Sequence, residues 1–554
     1  MPSVTIPLSV SYNQRNVDAR ASIVSASKDA RLINFIPRVT QNQITKSANS
    51  YIYKRPGVAA TTITSGNPGS CIFYSIRNNA VYSAFYNTSS TVHDVYWEST
   101  LLGSNTNAAS NAIIGINETL LGGVSHVVFS EQYSSGSTNG WYYKFGALNS
   151  FVGNRTSGSA VVSGIADTTL IVGGQLVSAT GFAVGTRVLT VDSATQVTMT
   201  NNASSGAATS TTFTAERLAK ILDADYPTTT VGRFAFIDGY PVIADASGLV
   251  WVGDLNSLTG WRASSYTSAN TEPDGAGAGV FRHKDRIVMF GKTTIEFWYN
   301  AGNPSGSPLS RVDDATLRIG APAAVEAGDS IYFIGATANG VSGVYRLNGY
   351  QPEKISTPEI DSLLSYYVYG SSGDQYLSYA VIGGQEAVIL QYVTGGTALV
   401  YYVGLGWGEF SMSSSVYPGV CAYEYYENCL TFTGSAGKIY KMNFNSPVYQ
   451  DESASYTATL QSTKTDFGTE DLKTVREVAL LGSDIQSSGT ATLEYSDDDY
   501  STWTTAGTFD LTKINPRIHR CGAFRGGRAW RLTHSANTAF RAQSLKFDFD
   551  IGAH

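Results

Sequence analysis

Arg233-Phe234-Ala235-Phe236-Ile237-Asp238-Gly239-Tyr240-Pro241-Val242-Ile243-Ala244, continued by Gly248-Leu249-Val250-Trp251-Val252-Gly253, decides the fold. An alternating apolar run meets an Asp-Gly turn, returns as a second strand, and turns again into a third that carries tryptophan. Alternation with period two marks a half-buried strand, and Asp-Gly is a hairpin signal. The same unit recurs. Arg286-Ile287-Val288-Met289-Phe290-Gly291 is followed by Thr294-Ile295-Glu296-Phe297-Trp298. Ser330 to Gly335 is followed by Gly343 to Gly349, a further copy runs from Tyr376 to Tyr402, and another from Val420 to Met442. Their starts at 234, 286, 330, 376 and 420 are spaced 52, 44, 46 and 44 residues apart. A period of about 40–50 residues built from short antiparallel strands is the signature of propeller blades. Fainter copies lie around Cys71–Trp97 and His126–Phe145. The expectation is an all-β chain with a β-propeller of six or seven blades, formed by residues 71–150 and 224–450. One four-stranded blade cannot bury both faces alone, whereas stacked blades bury each other's.

Outside the repeats the texture changes. Residues 1–70 read as an extended segment that joins the propeller, punctuated by Pro2, Pro7, Pro37 and Pro56. Residues 151–215 are rich in Ser, Thr, Ala, Gly and Val, and read as a small β-domain inserted into a blade loop, where insertions are tolerated. Within them Arg187–Val191 and Gln196–Thr200 are short β runs around the turn Asp192–Thr195. Glu216 to Ala224 reads as a short helix leading back to the propeller. Residues 451–554 carry alternating runs such as Thr490–Tyr495 and Leu545–Asp550, and predict a terminal β-sandwich-like domain.

Composition supports this reading. The chain has 554 residues, 55 of them glycine, with 12% aromatic and only 15% charged. Ordinary globular chains carry roughly 25% charged residues. A dry, tyrosine-rich composition fits strands and tight turns and excludes disorder for most of the length. The net charge of −7 argues against a broad basic grip on nucleic acid. It is compatible with a channel wall that lets DNA pass, because acidic walls repel phosphate. No run of about 18 apolar residues occurs, so no membrane-spanning helix and no stable membrane insertion are expected. The start shows no secretory pattern. Cys71, Cys421, Cys429 and Cys521 are too few for a disulfide framework and read as free buried thiols.

Few residues suggest chemistry. The six histidines form no metal-ligand spacing with one another or with cysteine, and neither a nucleophile elbow nor a phosphate loop is present. No cofactor is expected. Ser496-Asp497-Asp498-Asp499-Tyr500-Ser501-Thr502-Trp503 resembles the Asp-box of sialidase-type propellers. Ser496, Asp498, Thr502 and Trp503 match, and Tyr500 stands in place of glycine. Such a box braces a hairpin turn and performs no catalysis. Glu296, Asp313, Asp314, Glu424 and Glu427 are the carboxylates from which a sugar-cleaving pair could be drawn, and a solvated loop charge is the plainer reading of each. Arg517, His519, Arg520, Arg525, Arg528 and Arg531 cluster with Phe524 and Trp530 interleaved. They could contact phosphate or an acidic neighbour, or they pair with Asp497–Asp499 or with an adjoining subunit. The second reading is favoured because the cluster is short and the chain acidic.

The stretch Phe281 to Asn300 resembles the packaged-DNA-stabilisation proteins of short-tailed bacteriophages, also called tail hub or nozzle proteins. The likeness continues through Arg318-Ile319-Gly320, Asp329 to Phe333, Gly343 to Tyr350 and Ile355-Ser356-Thr357-Pro358, and Thr293 to Asn300 is its distinctive part. Arg31-Leu32-Ile33-Asn34 followed by Lys54-Arg55-Pro56-Gly57 fits the family's opening. Coverage is residues 10–150 and 225–450. The resemblance implies a non-enzymatic virion protein, assembled in the host cytoplasm and placed in the tail. It implies a hexameric ring of identical copies below the portal and adaptor, closing the DNA exit channel. Its partners are further copies, the portal–adaptor ring, tail fibres or spikes, a tail needle or plug, and the packaged DNA in the lumen. It transfers no catalytic residues. A polysaccharide-degrading or receptor-binding tail protein is the alternative.

Overall fold

A computed structural model describes residues 2–8, 30–41, 48–64, 67–105, 112–269, 275–312, 315–337, 340–358, 360–361, 364, 375–392, 397–412, 420–434 and 437–552. The chain is all-β, and helical positions among the described residues are confined to Pro358, Ile360, Asp361 and Leu364. It divides into two compact units. One comprises Met1–Thr61, Thr357–Phe432 and Ile439–His554. The other comprises Thr62–Ser356 and Thr433–Lys438.

The second of these is a series of four-stranded antiparallel sheets. Gly69–Ser75, Ala80–Asn87, Val92–Trp97 and Thr100–Ser104 form the first. Ile113–Leu121, Val124–Glu131 and Gly140–Lys144 form another, completed by the end of the long strand Ala208–Lys220. Three more meanders start at Thr230, Ala276 and Ala324. In the meander that begins at Ala276, Ile287 pairs with Trp298 and Val288 with Phe297, so alternate residues bury on opposite faces. Val280, Ile287, Met289 and Trp298 bury into one core, and Phe281, Val288, Phe290 and Phe297 into the next. This double burial explains why these strands read as nearly continuous apolar runs. Of the five repeat starts inferred from sequence, those at 234, 376 and 420 fall at first strands, whereas Arg286 and Ser330 open second strands.

Glycine lets the first strands of neighbouring sheets approach at backbone distance. Gly232 has φ +76° and Gly279 has φ +87°, and a β-carbon on Gly279 would lie 2.8 Å from the Val231 carbonyl oxygen. Gly279→Ala therefore forces both a left-handed backbone on an L-residue and a clash. It should cost about 1–3 kcal/mol, measured as a lower chemical-denaturation midpoint; an unchanged midpoint would show that the two strands can part freely.

The stretch 151–215 forms its own core of Phe151, Val162, Val177, Val188, Val197 and Phe213, with the Phe151 and Phe213 rings stacked at 4.9 Å. The helix expected from Glu216 to Ala224 is not formed. Residues up to Lys220 continue the strand Ala208–Lys220, and 221–223 have no regular structure. Lys220 pairs with Trp141 and Ala219 with Tyr142. Leu218 and Ala219 are fully buried, so the ladder and the core outweigh helix propensity, which is a weak preference.

In the other unit, Gln375–Ile382, Gln385–Tyr392, Thr397–Tyr402 and Gly406–Ser411 form a meander. Its sheet runs on through Arg31–Ile33, Ala458–Gln461, Ala529–His534, Thr490–Ser496 and Thr504–Asp510. Arg31–Ile33 is parallel to Gly406–Ser411 and antiparallel to Ala458–Gln461. A second sheet holds Ser3–Pro7, Ser544–Ile551, Lys473–Leu481 and Arg517–His519. These sheets share a core in which Trp530 packs on Phe547 at 4.7 Å. A further four-stranded sheet unites Cys421–Glu424, Cys429–Thr433 and Lys438–Asn443 with Ala59–Thr62 from early in the chain. All four cysteines are buried and none is in a disulfide. Burial pushes the thiols of Cys71, Cys421 and Cys429 up to about 12, and that of Cys521 up to about 11.

Candidate functional site

The arginine cluster is divided by the structure. Arg528 is buried, and its guanidinium is bidentate with Asp497 at 2.7 and 2.6 Å. It also donates to the carbonyls of Cys521 and Ala523 at 3.0 Å, and lies 3.8 Å from the Tyr495 ring centre. Arg531 binds Glu494 at 2.6 Å and covers Trp503 at 4.3 Å. Arg517 binds Glu477 at 2.8 Å, and the His519 ring lies 3.3 Å from the same carboxylate. Arg520 and Arg525 are exposed. The cluster is thus three paired arginines and two outward ones. The expected pairing with the acidic run involves Arg528 alone, because Lys464 takes Asp499 and Asp498 is committed to its own turn. Arg528→Ala should cost about 2–4 kcal/mol because Asp497 and two carbonyls lose their partner, while Arg520→Ala and Arg525→Ala should stay within about 0.5 kcal/mol of the parent. Thermal melts of the three variants check this, and equal losses for all three would contradict it.

Asp498 sits in the turn between Thr490–Ser496 and Thr504–Asp510. It accepts from the Ser496 hydroxyl at 2.8 Å, the Thr502 amide at 2.9 Å and the Thr502 hydroxyl at 2.5 Å. Those hydrogen bonds, chiefly from Thr502, hold its carboxyl down to about 2. Asp499 and Tyr500 both adopt positive φ, +61° and +62°. Tyr500 occupies the usual glycine position of the motif in this conformation, and its ring lies 6.0 Å from Trp503.

Two of the carboxylates from which an acid–base pair could be drawn are buried on basic partners. Glu296 is buried against Arg311. Glu424 is buried, accepts from the Thr431 hydroxyl and binds Lys441 at 2.9 Å. Burial raises its carboxyl above the usual range, opposed by Thr431 and Lys441. Glu427 is exposed and shares Lys441 at 3.5 Å. Asp313 and Asp314 lie outside the described residues. Among the described residues no group of three His, Cys, Asp or Glu is placed to hold a metal, and no helix is long and apolar enough to cross a membrane.

The densest polar site is one that sequence reasoning missed. The fully buried guanidinium of Arg55 is bidentate with fully buried Asp451, at 2.9 and 2.8 Å. It donates further to the Asn34 side-chain oxygen at 2.9 Å, the Pro56 carbonyl at 2.8 Å and the Ser411 carbonyl at 3.1 Å. Its face stacks on Tyr456 at 3.9 Å. Asn34, at φ +58°, accepts from the Ser411 amide at 2.9 Å and donates to the Thr457 carbonyl at 2.9 Å. Lys54 donates to the Ala536 carbonyl at 2.7 Å, and burial lowers its ammonium to about 8, helped by neighbouring Arg55 and opposed by Asp451. Gly57 is required because a β-carbon there would lie 2.0 Å from the Gln450 carbonyl oxygen. The two short motifs Arg31–Asn34 and Lys54–Gly57 thereby pin the start of the chain to the strand Gly406–Ser411 and to residues 451–457. The Arg-Pro-Gly sequence signalled a turn; nothing nearby signalled Asp451.

Comparison with known proteins adds the following. No curated protein matches the chain. Among solved structures, the computationally designed Ika8 protein is similar at 13% identity, over 69% of this chain and 98% of that one, with a TM-score of 0.33. The Neurospora crassa Pan2 WD40 domain is similar at 9% identity, over 70% and 94%, with a TM-score of 0.38. These likenesses are too distant to carry an argument. Residues 140–404 match the phage-stabilisation family model described as bacteriophage P22 Gp10, beta-propeller, which supports a bacteriophage structural protein, a virion component, with an all-β propeller-type fold.

Proposed function

We propose that this chain is a structural component of a short-tailed phage tail. Copies form a ring, or nozzle, below the portal and adaptor, close the DNA exit channel after packaging, and anchor fibres or spikes. The observation that carries the reading is the family match over residues 140–404. Each four-stranded meander is read as a blade, five in one unit and two in the other among the described residues. The two facing sheets that contain residues 458–551 are read as the sandwich-like terminal module. Its role follows from shape, with no catalysis and no membrane insertion. In support, Glu296 and Glu424 are each buried on a basic partner, and the Asp-box carboxylate is spent on its own turn. A channel protein also benefits from an acidic chain, since phosphate is not retained.

The test is genetic and physical. Particles assembled without this protein should package DNA and then lose it, leaving empty heads by sedimentation and electron microscopy. Purified chain should assemble into closed rings. Stable, infectious filled heads without the protein would overturn the role, and release of reducing sugar from capsular polysaccharide would favour the enzymatic alternative.

A further inference from the structure

We infer that the rim between the meander beginning at Ala276 and the one beginning at Ala324 is a binding site for a neutral saccharide, a function that needs no catalysis and does not rest on the ring. The strand register builds it. His283 and Arg286 face each other across the hairpin of Ala276–His283 and Arg286–Gly291, and directly opposed residues share a face. Phe281, Val288 and Phe297 share a core with Ile331, Phe333 and Leu347 of the next meander. Where that core ends, polar and aromatic groups take over. The Arg286 guanidinium lies 5.5 Å from the Tyr299 ring centre and binds Asp285 at 2.5 Å. Tyr350, in the turn between Gly340–Asn348 and Gln351–Lys354, packs edge-on against Phe297 at 4.9 Å, with its hydroxyl beside Arg286. Tyr299 is 38% and Tyr350 39% exposed, so two phenol rings reach the surface around one guanidinium. Two buried atoms here have no protein partner, Nε of Arg286 and Nε2 of His283, a residue only 5% exposed. Leaving such atoms unpaired costs free energy, and a hydroxyl, which both donates and accepts, satisfies either.

Chemistry selects the ligand. Asp285 already neutralises Arg286, and in the two turns Lys284 and Arg286 balance Asp285 and Asp329. Glu326, on the neighbouring strand, is paired with Arg233 at 2.7 Å. Phosphate or a polyanion therefore gains no net attraction, and a cation is opposed by Lys284 and Arg286. The coupled guanidinium and carboxylate instead present a donor and an acceptor 2.5 Å apart, a match for two neighbouring hydroxyls of a pyranose. Ring faces beside a few placed polar groups are the make-up of a small-molecule site. The C–H face of a sugar ring covers the phenol while the hydroxyls of both remain wet.

The experiment titrates the full chain with the methyl glycosides of glucose, galactose, mannose and N-acetylglucosamine. Saturation-transfer NMR reads binding, inorganic phosphate serves as competitor, and melting temperature checks folding. Ring protons of at least one glycoside should be saturated, with a dissociation constant on the order of 1 mM. Tyr299→Ala and Asp285→Ala should each weaken that binding about fivefold or more while melting as the parent does, since the Asp285 side chain is 77% exposed and Tyr299 lies at the surface. Tyr425→Ala, which removes an exposed tyrosine of the other unit, should bind like the parent. No saturation of any glycoside, or equal binding by parent and rim variants, overturns the inference and leaves the ring reading untouched. An equal loss in Tyr425→Ala overturns it as non-specific contact with exposed rings. Displacement of the glycoside by phosphate overturns it in favour of an anion site. Weaker self-association of Tyr299→Ala in sedimentation, with no glycoside bound by the parent, overturns it and assigns the rim to a second copy.

Discussion

Asp451→Asn should lower the stability of its unit by about 3–5 kcal/mol, the cost of leaving one partner of a buried ion pair uncompensated. Neither side chain of the Arg55–Asp451 pair has solvent access, so water cannot replace the lost carboxylate oxygen. Asparagine keeps one acceptor but presents its amide N–H donors to a guanidinium that has no acceptor for them. Arg55→Met removes the charge from the other side, and it also strips a donor from Asn34 and from the Ser411 and Pro56 carbonyls. It should be at least as damaging. The double replacement Arg55→Met/Asp451→Leu should cost much less than the two single losses added together, because no charge then remains buried. Denaturant unfolding followed by tryptophan fluorescence gives the measurement, since Trp407 and Trp530 report on this unit. A loss below about 1 kcal/mol for Asp451→Asn would place the pair among weakly coupled surface pairs and contradict the buried geometry.

That site also shows what can be read from the linear chain. Alternation, turn residues and spacing are local properties, and they exposed the repeated sheets. Asp238 and Gly239 both take positive φ at the first hairpin, as an Asp-Gly turn does. The Asp-box was legible for the same reason, because donor, acceptor and ring all fall within eight residues. The phase was missed at the copies placed at 286 and 330: a glycine-rich first strand such as Ala276–His283 looks weak in isolation and acquires meaning only where a neighbouring backbone passes close by. Glu216–Lys220 shows the converse, a locally helical sequence held in a strand by a partner more than seventy residues earlier. The partners of Arg55 span the chain. Asp451 lies 396 positions away, and no pattern near either residue points to the other. The arginine cluster was legible as a cluster but not as its parts, since composition cannot separate a buried Arg528 from an exposed Arg525.

Acidification should destabilise both units between pH 6.5 and 4. His93 lies in one unit and His534 in the other, both buried. Burial lowers each imidazole to about 4, opposed at His93 by Asp94 and reinforced at His534 by Lys54. The His93 ring packs on Tyr86 at 5.1 Å and the His534 ring on Phe540 at 4.9 Å, and among the described residues no carboxylate is hydrogen-bonded to either. An unfolded histidine takes up its proton near pH 6.5. Above that value both states are neutral and the contribution to stability is complete. As pH falls below 6.5 the unfolded chain binds the proton and the folded chain does not, so stability drops by up to about 1.4 kcal/mol per pH unit for each group. The loss levels off near pH 4, when the folded rings protonate too, and amounts to about 3 kcal/mol per histidine. His534→Gln cannot take up that proton, so its unit should show a flatter pH dependence than the parent across this window, whatever its stability at neutral pH. The same comparison with His93→Gln should flatten the dependence of the other unit alone. Parallel pH profiles for parent and variant would mean that the ring is charged inside the fold, which the aromatic packing around it opposes.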